Sequence, residues 1–75
     1  MSDKELNVFA QRLKQLRQQR GISRMWMSEL CGLHENAVSV YERGERMPSV
    51  KSLIAIADFF GVSADYLLGR DGYDC

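Results

Sequence analysis

Glu35, Asn36, Ser39, Val40 and Arg43 bring a carboxylate, an amide, a hydroxyl, an isopropyl group and a guanidinium into one short stretch. The chain has one histidine and no paired carboxylates at catalytic spacing, so bond-making chemistry has little to work with. The chemistry that this mixture suits is recognition. An amide can exchange two hydrogen bonds with a base edge, an apolar group can touch a thymine methyl, and a guanidinium can pair with a phosphate.

A recognition face needs an element to display it. Residues 23–44 read as two short helices hinged at Gly32, the layout of a helix-turn-helix that inserts one helix into a DNA groove. Helical spacing predicts one buried stripe of Met27, Leu30 and Cys31, and a second of Val38, Tyr41 and Glu42. The five residues named first then face outward on the second piece, a helix over roughly 35–43.

Leu6, Phe9, Ala10, Leu13 and Leu16 repeat at helical spacing before Gly21, which predicts a first helix over roughly 5–19. Arg17 continues that stripe four residues after Leu13. A guanidinium taken out of water needs a partner, and the facing candidate is Glu42. Ser23 is a fitting N-cap for the second helix, and Ser49, after Pro48, for a fourth whose stripe is Leu53, Ile56, Ala57 and Phe60, closed by Gly61. Ser63 with Asp65 in the following turn starts a short fifth helix carrying Tyr66, Leu67 and Leu68 and ended by Gly69. No strand-period alternation or internal repeat appears. The fold class predicted is all-α: a compact five-helix bundle around a central helix-turn-helix.

Seventy-five residues predict a single domain over 1–75, with a core over about 6–69 and a frayed tail at 70–75. An apolar content of 45% with 27% charged residues is ordinary for a folded domain. No signal peptide or membrane-spanning run appears, so the expected location is cytoplasmic, with no membrane partner. Cys31 reads as a small core residue, and Cys75 is terminal; their spacing is that of neither a metal site nor a disulfide framework. His34 follows the turn glycine, where a helix starts, and lacks neighbouring ligand types. No metal, cofactor or enzyme activity is predicted, and no small-molecule pocket of ordinary size.

Net charge is zero, yet its distribution is uneven. Arg12, Lys14, Arg17, Arg20 and Arg24 lie between Leu6 and Ser28 with no acidic residue among them, whereas Asp58, Asp65, Asp71 and Asp74 gather toward the C-terminus. One side is expected to be basic. For Arg12, Lys14 and Arg20 a solvated helix face is the alternative.

With these elements in place, the chain resembles the phage-repressor class of helix-turn-helix domains, the lambda Cro/CI-type or XRE family, over about residues 6–69. The residues that carry the likeness include Arg12-Leu13-Lys14-Gln15-Leu16-Arg17, Gly21-Ile22-Ser23, Glu29-Leu30 with Gly32-Leu33, Val38-Ser39, Tyr41-Glu42-Arg43-Gly44-Glu45-Arg46, Pro48-Ser49, Phe60-Gly61-Val62-Ser63 and Asp65-Tyr66-Leu67-Leu68-Gly69. The resemblance implies sequence-specific binding of a two-fold dimer to a symmetric double-stranded operator, with transcription regulated, most simply repressed. Carried over by position, it places Arg24 on a backbone phosphate, Glu35, Asn36, Ala37 and Val40 at base edges, and Arg43 and Arg46 on the flanking phosphate. It also implies the Arg17–Glu42 pair between the first and third helices.

The chain departs from the family pattern at several positions. Members usually carry Gln at the place of Arg24, polar or acidic residues at Met25 and Trp26, Leu-Ala at Met27-Ser28, and a polar or basic residue at Val40. Val40 limits base contact to a thymine methyl, and Glu35 repels phosphate unless it accepts from a cytosine amino group. Met25 and Trp26 fall on the outer side of the second helix. Trp26 is open to three uses: packing over its own domain, a protein partner, or DNA backbone. Phe59, beside the core residue Phe60, is a candidate for self-association. A helix-turn-helix module that binds proteins and has lost DNA readout, a partner or antitoxin-like subunit, is therefore the alternative function.

Overall fold

Serines open three of the helices of this chain and a glycine follows each helix, in a computed structural model that describes residues 3–70. Among the described residues five helices and no strand form: α1 (Asp3–Arg20), α2 (Arg24–Leu30), α3 (Ala37–Glu42), α4 (Val50–Phe60) and α5 (Ala64–Leu68). Ser23, Ser49 and Ser63 each accept a backbone N–H three residues on, from Trp26, Ser52 and Tyr66, and so satisfy donors that the first helical turn leaves over. At the far ends, the residue after each glycine donates back five residues, as from Leu33 to the Ser28 carbonyl at 2.8 Å. Gly32 holds φ at +70°, which turns the chain sharply from α2 into α3 at little steric cost.

The predicted tail lies outside the described residues apart from Arg70, as do Asp71, Asp74 and Cys75. Helix α1 extends beyond the predicted 5–19 at both ends.

Phe9 and Leu13 of α1, Met27 of α2, Val38 and Tyr41 of α3, Ile56, Ala57 and Phe60 of α4, and Leu67 of α5 form one core. Phe9 meets Tyr41 edge-on at 5.7 Å between ring centres. Helix α1 is the organising strut, packed against both α3 and α5, while α2 rests on α3 and α4 on α5. The helix-turn-helix is thus anchored through α3 to the longest helix of the bundle.

Two expectations about the helices need correction. Leu30 does not join Met27 and Cys31 inside; it is 52% exposed, and Ser28 is fully buried in its stead. Residues about 100° apart round a helix leave positions 24, 27, 28 and 31 on one arc and turn Leu30 away. Burial of Ser28 is tolerated because its hydroxyl accepts from Val38 N–H at 3.2 Å and donates to the Arg24 carbonyl at 3.0 Å.

The third helix also begins later than the predicted position 35. Glu35 and Asn36 sit in the turn before α3, because His34 ends the preceding segment: its carbonyl accepts from Ala37 N–H at 2.9 Å, and its ring Nδ1 accepts from Asn36 N–H at 3.2 Å. Phe59, the candidate for self-association, is half-buried against the core, edge-on to Phe60 at 5.0 Å, with the Arg20 guanidinium stacked over both rings. Arg12 likewise leaves the solvated-face alternative, since it stacks over Tyr66 at 4.3 Å and donates to the Tyr66 carbonyl.

Candidate nucleic-acid interface

Glu42 is the electrostatic centre behind α3. Its Oε2 accepts from Arg17 Nε at 2.6 Å and its Oε1 from Arg17 Nη2 at 3.2 Å, a two-pronged pair between α1 and α3. The third Arg17 nitrogen, Nη1, donates to the Ile22 carbonyl at 2.8 Å, so the buried guanidinium is used on every side. Arg24 closes the set, with Nε donating to Glu42 Oε1 at 3.0 Å. Two guanidinium groups around one carboxylate leave a net positive charge at the join of α1, α2 and α3.

Arg24, expected on a phosphate, is therefore first a ligand of Glu42. Only Nε is engaged, and the side chain is 49% exposed. Arg24 lines a concavity of about 340 Å³ together with Lys14, Ser39, Glu42 and Arg43. Lys14, singled out from sequence only as part of a basic stretch, thus joins the site from α1.

The opposite flank of α3 faces a groove of about 580 Å³ between the α2–α3 turn and the start of α4. Asn36, Ala37, Val40, Arg46, His34 and Ser52 are among its walls. This volume corrects the expectation that no concavity of ordinary ligand size exists. The groove brings together no cluster of catalytic groups.

Between the two hollows runs the ridge of α3 and its leading turn. Glu35, Asn36 and Arg43 are exposed; Ala37, Ser39 and Val40 are half-buried. The Asn36 amide makes no capping bond to α3. Arg43 is held by Glu45, Nε to Oε2 at 2.9 Å and Nη2 to Oε1 at 3.3 Å. That pairing raises the Arg43 pKa and holds the Glu45 carboxyl below the usual carboxylate value, through the hydrogen bond first and the charge second. Arg46 makes no ion pair among the described residues.

Met25 and Trp26 lie on the outer arc of α2, 61% and 56% exposed, with Leu30 beside Trp26 one turn on. Trp26 is not among the residues packed against the core. Burial raises the Cys31 thiol pKa, in keeping with a half-buried structural cysteine. Among the described residues no group of three His, Cys, Asp or Glu side chains is placed to hold a metal ion. No helix there is long and apolar enough to cross a membrane.

The Helix-turn-helix family pattern matches residues 13–67. The HTH-type transcriptional regulators ImmR and AnsR of Bacillus subtilis (strain 168) are 38% and 37% identical over 63 and 60 residues, or 84% and 80% of this chain and 50% and 52% of theirs. The chain spans about half the length of these curated relatives. The restriction-modification controller protein C.AhdI from Aeromonas hydrophila shares the fold with a TM-score of 0.74 and 32% identity, over 83% of this chain and 94% of that one. A hypothetical transcription factor NHTF from Neisseria aligns with a TM-score of 0.79 and 26% identity, over 91% and 79% of the two chains. With the pattern covering most of its length and the helices in the same arrangement, the chain belongs to the XRE family of helix-turn-helix transcriptional regulators.

Proposed function

We propose that the chain binds duplex DNA sequence-specifically, as the reading domain of a cytoplasmic transcriptional repressor that acts as a two-fold dimer. The observation that carries this reading is the α3 ridge with a cationic flank on either side, Lys14, Arg24 and Arg43 along one and Arg46 along the other. Bases are read in a groove whose two walls are phosphate, so a reader needs donors at its centre and cations at both edges. Asn36, Ala37, Ser39, Val40 and Glu35 supply the centre. Six residues of α3 span only about 9 Å at 1.5 Å each, too little for useful specificity alone, and two copies on a symmetric site double the readout.

The test is a salt titration of binding to random duplex. Three phosphate contacts per subunit through Arg24, Arg43 and Arg46, in a dimer, give a log–log slope of about −5 at −0.9 per contact. Arg24→Ala flattens the slope and weakens all sequences alike. A slope near zero overturns the reading.

A second reading is favoured by Met25, Trp26 and Leu30, each more than half exposed on a helix of seven residues. These side chains suit a protein partner. The protein-interaction module then replaces the DNA reader if the titration shows no salt-dependent binding.

A further inference from the structure

His34 is the single histidine of the chain, and it stands in the turn between α2 and α3. Its Nδ1 accepts from Asn36 N–H at 3.2 Å, and its carbonyl accepts from Ala37 N–H at 2.9 Å. The regular ladder of α3 starts only with Val40 N–H on the Asn36 carbonyl at 3.1 Å. The imidazole thus satisfies the N–H of Asn36, the N-cap residue of α3, with a ring nitrogen, where the other helix starts use serine oxygens on N–H groups three residues on. Those oxygens remain acceptors across neutral pH. An imidazole does not: a ring whose Nδ1 accepts carries its one proton on Nε2, and a second proton turns Nδ1 into a donor facing a donor.

We infer that His34 is a positioning residue for base reading by Asn36, its neutral ring fixing the Asn36 backbone and its protonated ring releasing it. The inference rests on the DNA-binding reading above. Sequence discrimination is then lost as the pH falls, while attraction to phosphate is not. Around the ring, Glu35 adjoins it in the turn, Tyr41 of α3 and Arg46 of the α3–α4 connection share its groove, and α4 contributes the uncharged Ser52. Histidine is the side chain whose ordinary titration falls between pH 5 and 8, and protonation adds a cation to the phosphate-facing groove. Discrimination and non-specific affinity thus move in opposite directions, whereas unfolding lowers both.

The experiment uses the full chain at about pH 8 and about pH 5.5, on either side of the ordinary histidine range. The first readout needs no DNA: the Asn36 backbone amide resonance is followed through the range, and it is expected to titrate with the imidazole and to exchange faster at the acid end. The second is the ratio of affinities for a selected duplex and for random duplex. In the wild type that ratio falls by about tenfold per half-site, within what one bidentate adenine contact discriminates, while random-duplex affinity rises. His34→Asn, whose side-chain carbonyl cannot be protonated in this range, keeps a flat and high ratio; His34→Ala gives a low ratio at both pH values. An Asn36 amide indifferent to pH overturns the proposal, as does His34→Asn retaining the wild-type pH dependence. Failure of every variant to select any duplex overturns the DNA reading and the positioning role with it, and the amide titration alone then decides whether the cap exists.

Discussion

The Ser28 hydroxyl joins the two helices of the helix-turn-helix directly, accepting from Val38 N–H at 3.2 Å on α3 while it donates to the Arg24 carbonyl at 3.0 Å on its own helix. Because Ser28 is fully buried, no water can take over either bond. The hydroxyl does two jobs: it caps one of the leading N–H groups of α3 and ties the ridge to α2. An alanine, the residue usual in the family, keeps the packing and forgoes both bonds.

Ser28→Ala should therefore destabilise the domain by about 1–3 kcal/mol, the cost of stranding a buried backbone donor. Urea denaturation measures it. A change below about 0.5 kcal/mol, typical of surface sites, shows that the Val38 N–H finds another acceptor and that the bond does not set the α2–α3 geometry.

The Arg17–Glu42 pair gives a sharper stability prediction, since the two side chains are 10% and 4% exposed. Removing either partner leaves a buried charge uncompensated and should cost roughly 3–5 kcal/mol. Glu42→Ala should be the worse of the two, because it also leaves Arg17 and Arg24 facing each other. A double change to matched apolar residues at 17 and 42 should recover much of the loss. Denaturation curves of the two single mutants and the double mutant, compared as a cycle, decide it.

Much of this architecture is legible before any coordinates. Ser23, Ser49 and Ser63 mark helix starts because a hydroxyl is the cheapest acceptor for leading N–H groups, and Gly32, Gly61 and Gly69 mark ends because each takes a positive φ. Arg17 and Glu42 stand out because a charge on an apolar stripe demands a partner. The face of α2 is harder to read: seven residues make barely two turns, and apolarity alone favours Leu30 over the buried Ser28. The start of α3 is obscured because its N-cap side chain, Asn36, makes no capping bond, and its leading N–H groups go instead to the His34 carbonyl and to Ser28 Oγ ten residues away. That Arg24 shares Glu42, and that Lys14 joins the concavity, depends on how three helices cross, which no local spacing encodes.

Glu45 restrains Arg43 on the recognition surface, and its removal should be visible in DNA binding. Glu45→Gln frees the guanidinium and removes a negative charge near the phosphates, so affinity for random duplex should rise. The same release has a pH form. Glu45 titrates below the usual carboxylate value in the folded chain, so its pairing with Arg43 is complete above that value and is lost as the pH falls through the lowered one. An unaltered affinity for random duplex in Glu45→Gln shows that Arg43 does not reach phosphate.

Asn36 should carry the clearest base discrimination, because its exposed amide is uncommitted within the fold and can pair bidentately with adenine, worth roughly 1–3 kcal/mol against the wrong base. Ala37 and Val40, half-buried along the same ridge, can add only methyl contact with thymine. Asn36→Ala should relax preference at one base per half-site and leave both random-duplex affinity and the salt slope intact, since the flanking cations are untouched. Selection from randomised duplexes separates these outcomes. Wild-type protein should enrich a symmetric motif with half-sites about one helical turn apart, and the mutant should enrich the same motif with one position per half-site degenerate. Enrichment of no symmetric motif by the wild type shifts the function to the Met25–Trp26–Leu30 face, and Trp26→Ala becomes the informative variant.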